Sequence, residues 1–303
     1  MSRPVRIAVV GAGRMGRVHI SVLETLPNVE VVAVVDPVAP GATHVDVDAL
    51  LADGAPDGAV VAAPSTRHVE IACQLLDAGV PTLCEKPCGT TAAEARAVLE
   101  RSAEAGTPLQ IGYWRRFVPA LRSLRDRIEA GELGDVLLVR SEQWDERPPP
   151  ASFRTESGGI LIDMGVHELD QIRWLTGQEL ACTAVAAATA GVDPPVAGDP
   201  ESVEAVFELS GGGLAVASLG RRFPPGDMCR VAVHGTKDVE ECRFLWPPDS
   251  DRAFAEAIAA QDSAFVDLVR GGSQQGAGPA DAVAALVAAE EAKAALESRR
   301  GAS

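Results

Sequence analysis

A glycine loop set between two apolar runs leaves this chain few folds to choose from. Val5-Arg6-Ile7-Ala8-Val9-Val10 is short, mostly apolar and rich in β-branched residues, and Gly11-Ala12-Gly13-Arg14-Met15-Gly16 follows it directly. A run of that kind suits a strand covered on both faces, as in a parallel sheet. A helical pattern then continues to about residue 26, and a second such run at 30–35 ends at Asp36. Strand, G-x-G-x-x-G, helix, strand and terminal acid is the context in which the motif reads as a dinucleotide site. Gly11 permits the tight turn, Gly13 lets the backbone approach a pyrophosphate, and Gly16 lets helix and strand pack closely. The helix N-terminus offers free N–H groups and partial positive charge to the phosphates. Asp36 can accept the adenosine ribose hydroxyls, and its carboxylate would repel a 2′-phosphate. Pro37-Val38-Ala39 brings no arginine to offset that repulsion, so the expected cofactor is NAD and not NADP.

The alternation continues beyond the loop. Runs at 59–63, 80–84 and 109–112 read as strands, and 46–53, 67–78 and 91–105 as helices. Strands alternating with helices predict a doubly wound parallel sheet, an α/β Rossmann domain over residues 1–117. The texture then changes. A helix over 119–130 ends at Gly131, and longer β-type runs follow at 135–144, 181–190, 202–209, 213–220, 229–234 and 239–245. Turns such as Asp193-Pro194-Pro195 and Gly211-Gly212-Gly213 join several of them. Sequential strands with turns predict an α+β domain over 118–303 with a large, mostly antiparallel open sheet. One helix, 163–176, interrupts the strands, and two more, 253–269 and 279–298, close the chain. The last has an amphipathic stripe and reads as core-facing packing, while Pro148-Pro149-Pro150 reads as a rigid surface loop.

Charge narrows the partners. Lys and Arg total 27 against 43 Asp and Glu, a net charge of −16. No basic cluster is present to neutralise phosphates, which argues against a nucleic-acid partner and against a polybasic membrane surface. No stretch reaches the roughly 18 consecutive apolar residues of a spanning helix. Residues 7–10 are too short for a signal-peptide core, so a cytoplasmic protein is expected. The six cysteines, at 73, 84, 88, 182, 229 and 242, form no Cys-x-x-Cys pair. They fit free thiols in a reducing compartment, and no metal site is expected.

Lysine is scarce: only Lys86, Lys237 and Lys293 occur beside 24 arginines. Lys86 stands in Cys84-Glu85-Lys86-Pro87 at a strand end, where the cofactor cleft of such a fold lies. Pro87 pushes Lys86 into an extended conformation. A desolvated lysine there can orient a hydroxyl and stabilise developing negative charge. A plain Glu85–Lys86 ion pair is the alternative. Downstream, Asp163 and His167 stand at i and i+4 and share a helix face, which Asp170 at i+7 continues. With a pKa near 6.5, a histidine exchanges protons near neutrality. His167 is therefore the natural base for alcohol oxidation, and Asp163 would orient it or hold a neighbouring hydroxyl. A histidine satisfied at a domain interface is the competing reading.

These motifs stand in order with Pro64-Ser65-Thr66-Arg67-His68, Gly112-Tyr113-Trp114-Arg115-Arg116-Phe117 and Gly158-Gly159-Ile160-Leu161-Ile162-Asp163-Met164-Gly165-Val166-His167. Over nearly its whole length the chain resembles the Gfo/Idh/MocA oxidoreductases. Through Trp174-Leu175-Thr176-Gly177 it looks most like the inositol dehydrogenases among them. The resemblance implies Lys86, Asp163 and His167 as the catalytic trio. It implies NAD contacts at Gly11, Gly13, Arg14, Met15, Gly16, Asp36, Pro64, Ser65, His68, Glu85 and Lys86. Substrate contacts are implied at Lys86, Trp114, Arg115, Asp163, His167 and Asp170. The loop before His68 would lie beside the nicotinamide half, although an ordinary helix-start residue is the alternative for His68. Arg115 matches a substrate-side arginine and Arg116 a structural one. Trp114 departs from the smaller or more flexible residue often found there, which leaves the exact substrate open. Trp144 and Arg154 suit a pocket, with packing or surface as the equal alternative, and His19, His44 and His234 read as structural.

The implied activity is NAD-dependent oxidation of a secondary hydroxyl of a cyclic polyol or sugar to a ketone. Inositol leads, with a pyranose or sugar acid next. An NAD-dependent glycoside hydrolase of the same family and a non-catalytic dinucleotide-binding regulator are the alternatives. The resemblance also implies homodimers or homotetramers packed through the open sheet.

Overall fold

Strand β1 (Val5–Val10) leads into Gly11 and then helix α1 (Arg14–Leu23). The alternation continues through β2 (Val29–Val35), α2 (Val47–Asp53), β3 (Gly58–Val61), α3 (His68–Asp77), β4 (Thr82–Cys84), α4 (Ala92–Ala105) and β5 (Leu109–Ile111). The structure, a computed structural model, describes residues 3–188, 196 and 199–301. The Asp193-Pro194-Pro195 turn and the end of the 181–190 run lie outside the described residues.

Among the described residues the first sheet has five parallel strands in the order β2-β1-β3-β4-β5. The strand order reverses between β1 and β3, which is where ligands bind in open α/β sheets. Local chemistry sets the helix ends. Asp46 accepts the N–H of Ala49 at the start of α2. Thr91 and Glu94 form a capping box on α4, which closes on Gly106 in the left-handed region.

Val5, Ile7, Val9, Leu23, Val60 and Leu83 form a core cluster with Phe265, Val266 and Leu268 from far downstream. Two compact units result: Met1–Trp114 with Ala255–Val283, and Arg115–Phe254 with Ala284–Ser303. The sequence division at residue 117 leaves out this return. Strand order along the chain cannot reveal it, because a distant helix supplies the apolar side chains that cover one sheet face.

The second unit is built from α5 (Pro119–Glu129), β6 (Val136–Trp144), α6 (Ala151–Glu156), a π-helical turn (Leu161–Gly165) and α7 (Val166–Thr176). Strands β7 (Leu180–Ala188), β8 (Ser202–Leu209), β9 (Leu214–Gly220), β10 (Met228–Gly235) and β11 (Val239–Leu245) follow. Helices α8 (Ser250–Val269) and α9 (Pro279–Gly301) come last, and residues 255–283 of them and their link belong to the first unit. The second sheet runs β11-β10-β6-β9-β8-β7, antiparallel apart from the parallel β6–β9 pair. In β8, Val203, Ala205, Phe207 and Leu209 are buried and alternate with more exposed residues, so one face of that strand is covered.

Two features depart from the sequence reading. The short helix α6 follows the triple proline and has no sequence signal of its own, and the 163–176 helix opens with the π turn. No helix among the described residues is long and apolar enough to cross a membrane.

Candidate active site

The glycine loop occupies the carboxyl end of β1, at the strand-order switch. Gly11 has φ +97°, and a Cβ there would lie 2.5 Å from the carbonyl oxygen of Ala62, just beyond β3. Only glycine fits a backbone so placed. A Cβ at Gly13 would meet nothing within 4 Å, so the open side of the loop has room for a pyrophosphate. No side chain caps α1, which leaves its N-terminus to a ligand. Asp36 closes the arrangement. It accepts the N–H of Ala12 at 2.9 Å, of Val38 at 2.9 Å and of Ala39 at 2.8 Å. Those bonds, the one from Ala12 foremost, hold its carboxyl below the ordinary range and keep it charged. These residues fit NAD, and the bound carboxylate opposes a 2′-phosphate. Arg14 is exposed and Met15 half-buried on the first turn of α1.

Pro64 caps a short 3₁₀ turn, Ser65–Arg67, that leads into α3. His68 heads that helix but is only 2% exposed. Its Nδ1 lies 2.8 Å from the carbonyl oxygen of Pro87, and its Nε2 lies 2.7 Å from that of Ala63. Burial above all pushes its pKa down. Both ring nitrogens thus face backbone carbonyls, and His68 ties the 64–67 loop to the Glu-Lys-Pro segment. Lys86 is half-buried after β4, and its bond to Pro87 is cis.

Glu85, expected on the cofactor side, is buried, and its Oε1 lies 3.2 Å from Nε2 of His19. His19 is wholly buried, and its Nδ1 lies 2.9 Å from both oxygens of Asp262 on α8. Burial alone would lower the imidazole pKa, but Asp262 and then Glu85 outweigh it, and the ring is pushed up to about 10. A carboxylate on each side of the ring favours its protonated form. Sequence reasoning read His19 as structural and could not name Asp262, which lies 243 positions away.

In the second unit, Asp163 sits in the π turn and His167 at the start of α7, each 7% exposed. Asp163 accepts from Arg221 at 3.3 Å, and the same guanidinium reaches Asp199 at 3.1 Å. Arg221 is wholly buried, and Arg154 lies 3.6 Å from Asp199. Asp199 also accepts the N–H of Ile160 at 2.8 Å, just before the π turn. No spacing in the sequence marks Arg221 or Asp199. Burial chiefly, then the like charges of Asp227 and Asp163, pushes the neighbouring Asp145 carboxyl up to about 6.

Two expected substrate contacts have partners inside the second unit. Asp170 is 1% exposed, and Arg116 holds both its oxygens, Nε at 3.0 Å among the contacts. Arg115 is 2% exposed and donates to Glu168, to Gln143 at 2.6 Å and to Gln171 at 3.3 Å. A buried guanidinium needs such acceptors, and these are inside the unit. Trp114 is 7% exposed. Trp144 donates to Ser218 at 3.3 Å and covers Gly220, so it packs on the sheet.

Residues 5–113 match the oxidoreductase family with an NAD-binding Rossmann fold, and residues 121–239 match the GFO/IDH/MocA C-terminal domain. The chain is 47% identical over 296 residues to the rhizopine catabolism protein MocA of Rhizobium meliloti, covering 95% of this chain and 93% of that protein. It is 34% identical to the myo-inositol dehydrogenase Hyg17 of Streptomyces leeuwenhoekii, over 88% of this chain and 89% of that protein. The solved structure of a myo-inositol dehydrogenase from Corynebacterium glutamicum matches with a TM-score of 0.86 at 25% identity, over 98% of this chain and 97% of that one. With both halves matched in order, the chain belongs to the Gfo/Idh/MocA family and is an NAD-binding oxidoreductase.

Proposed function

We propose that the protein oxidises a secondary hydroxyl of a cyclic polyol, inositol or a close analogue, to a ketone. The observation that carries this reading is Asp163, held by the buried Arg221, one turn before His167 in a chain with an NAD-binding loop. The relatives support the substrate class, since several carry the name of an inositol dehydrogenase.

Bound NAD supplies the hydride acceptor. His167 takes the hydroxyl proton as the hydride leaves the same carbon. Lys86 donates to that oxygen and stabilises the negative charge developing on it. Asp163 orients the imidazole or an adjacent hydroxyl, and Arg221 fixes the direction of its carboxylate. Arg115 and Asp170 act from inside the second unit, through Glu168 and Arg116.

The test is NADH formation by purified protein with NAD and a panel of inositol isomers and aldoses, repeated with NADP. A rise with one polyol and NAD, and a far weaker one with NADP, is expected. Replacing His167 by Ala or Lys86 by Met should lower turnover at least about a hundredfold with NAD affinity retained. Turnover that survives both changes overturns the catalytic assignment. A released leaving group without net NADH would instead mark the glycoside hydrolase.

A further inference from the structure

Lys86 is bracketed by two residues, each tied to a buried histidine. On its C-terminal side, the carbonyl of Pro87 meets Nδ1 of His68 at 2.8 Å. On its N-terminal side, Glu85 meets Nε2 of His19 at 3.2 Å. The other oxygen of Glu85 accepts the backbone N–H of Lys86 at 3.3 Å. The Glu85 backbone is pinned too, donating to the carbonyl of Val61 at 2.8 Å. Gly112 makes room for its carboxylate, since a Cβ there would lie 2.7 Å from Oε1.

The arms of this chain come from three separate segments. His19 is on α1, one turn past the glycine loop, Asp262 is on the returning helix α8, and Glu85 follows β4. Asp262 and Glu85 are the charged groups facing the ring. Stability alone is a poor reason for such a cluster. A buried ion pair gains little over well-packed apolar side chains, because desolvation offsets its attraction. What the cluster does achieve is direction, since Glu85 has one oxygen on His19 and the other on the Lys86 backbone.

We infer that His19 is a positioning residue: its imidazolium, anchored by Asp262, holds Glu85 and thereby aims Lys86 for the proposed reaction. The inference rests on the reading of Lys86 as catalytic.

The test uses the scarcity of lysine. Reductive methylation with ¹³C-formaldehyde labels the side-chain amines of Lys86, Lys237 and Lys293, the only three lysines. The Lys86 signal is the one absent from Lys86→Arg. In His19→Gln the Lys86 resonance should move, with Lys237 and Lys293 unmoved. The unlabelled variant should lose about tenfold in kcat, with KM for the polyol and NAD affinity within about threefold. Retained NAD affinity shows that the first unit is folded. Asp262→Asn should act in the same direction, and Asp262→Glu should recover part of the loss. In a Lys86→Met background, His19→Gln should cost no further turnover. An unmoved Lys86 resonance, or an unchanged kcat in His19→Gln, overturns the inference. Turnover unaffected by Lys86→Met itself overturns the catalytic reading instead, and the resonance still decides whether His19 governs Lys86.

Discussion

In the first unit a buried cation, His19, lies between Asp262 and Glu85; in the second, Arg221 lies between Asp163 and Asp199. Both cations are wholly buried, and each steadies a segment that carries a proposed catalytic side chain. They differ in chemistry. A guanidinium keeps its charge at any pH at which a protein folds, and its planar fork can serve two carboxylates at once. An imidazolium has one N–H on each side and can lose one. The second-unit clamp is therefore permanent, while the first-unit clamp lasts only as long as its proton.

The strongest way to break this comparison is Arg221→Met. It leaves Asp163 and Asp199 buried without their shared partner, and should destabilise the protein by about 3–5 kcal/mol in urea titrations. A loss under about 1 kcal/mol would mean that water or Arg154 replaces the guanidinium.

The pH dependence sharpens the contrast. The folded-state pKa of His19 is raised from 6.5 to about 10. Its contribution to stability is thus fully present below about 6.5 and is lost as pH rises towards about 10. The slope due to this one proton is at most about 1.4 kcal/mol per pH unit. Denaturant midpoints measured between those limits should fall with pH in the native protein and fall less in His19→Gln. Equal slopes would place the imidazole outside the titration.

Asp36 is bound differently from the four clamped carboxylates, by the backbone N–H groups of Ala12, Val38 and Ala39. Asp36→Ser should narrow the preference for NAD over NADP by about tenfold or more, read as the ratio of the two binding constants. Thr91→Ala sets the scale away from both clamps. It removes a capping box on α4 and should cost about 1 kcal/mol with turnover unchanged.

Much of the architecture was legible because it is written locally. The β-branched runs before Gly11 and Asp36 name their strands, and the helix expected over 91–105 is found as α4. Lys86 stood out because the chain otherwise uses arginine. For Arg115 and Asp170, family likeness marks a position and not the direction the side chain takes. Arg115 turns to Glu168 and Asp170 to Arg116, 53 and 54 positions away.

The sequence by itself determined the alternating strands and helices of the first sheet, the dinucleotide loop with its acid, and the residue types that chemistry requires. Those features depend on backbone sterics and side-chain periodicity over a few neighbouring residues. Only the tertiary structure decided which of 43 acids would meet His19 and Arg221, and that Phe265 and Asp262 would return to the first unit. Pairing over 243 positions has no local signature. It is set by burial, where each charge taken from water must find a partner among the groups that packing brings to it.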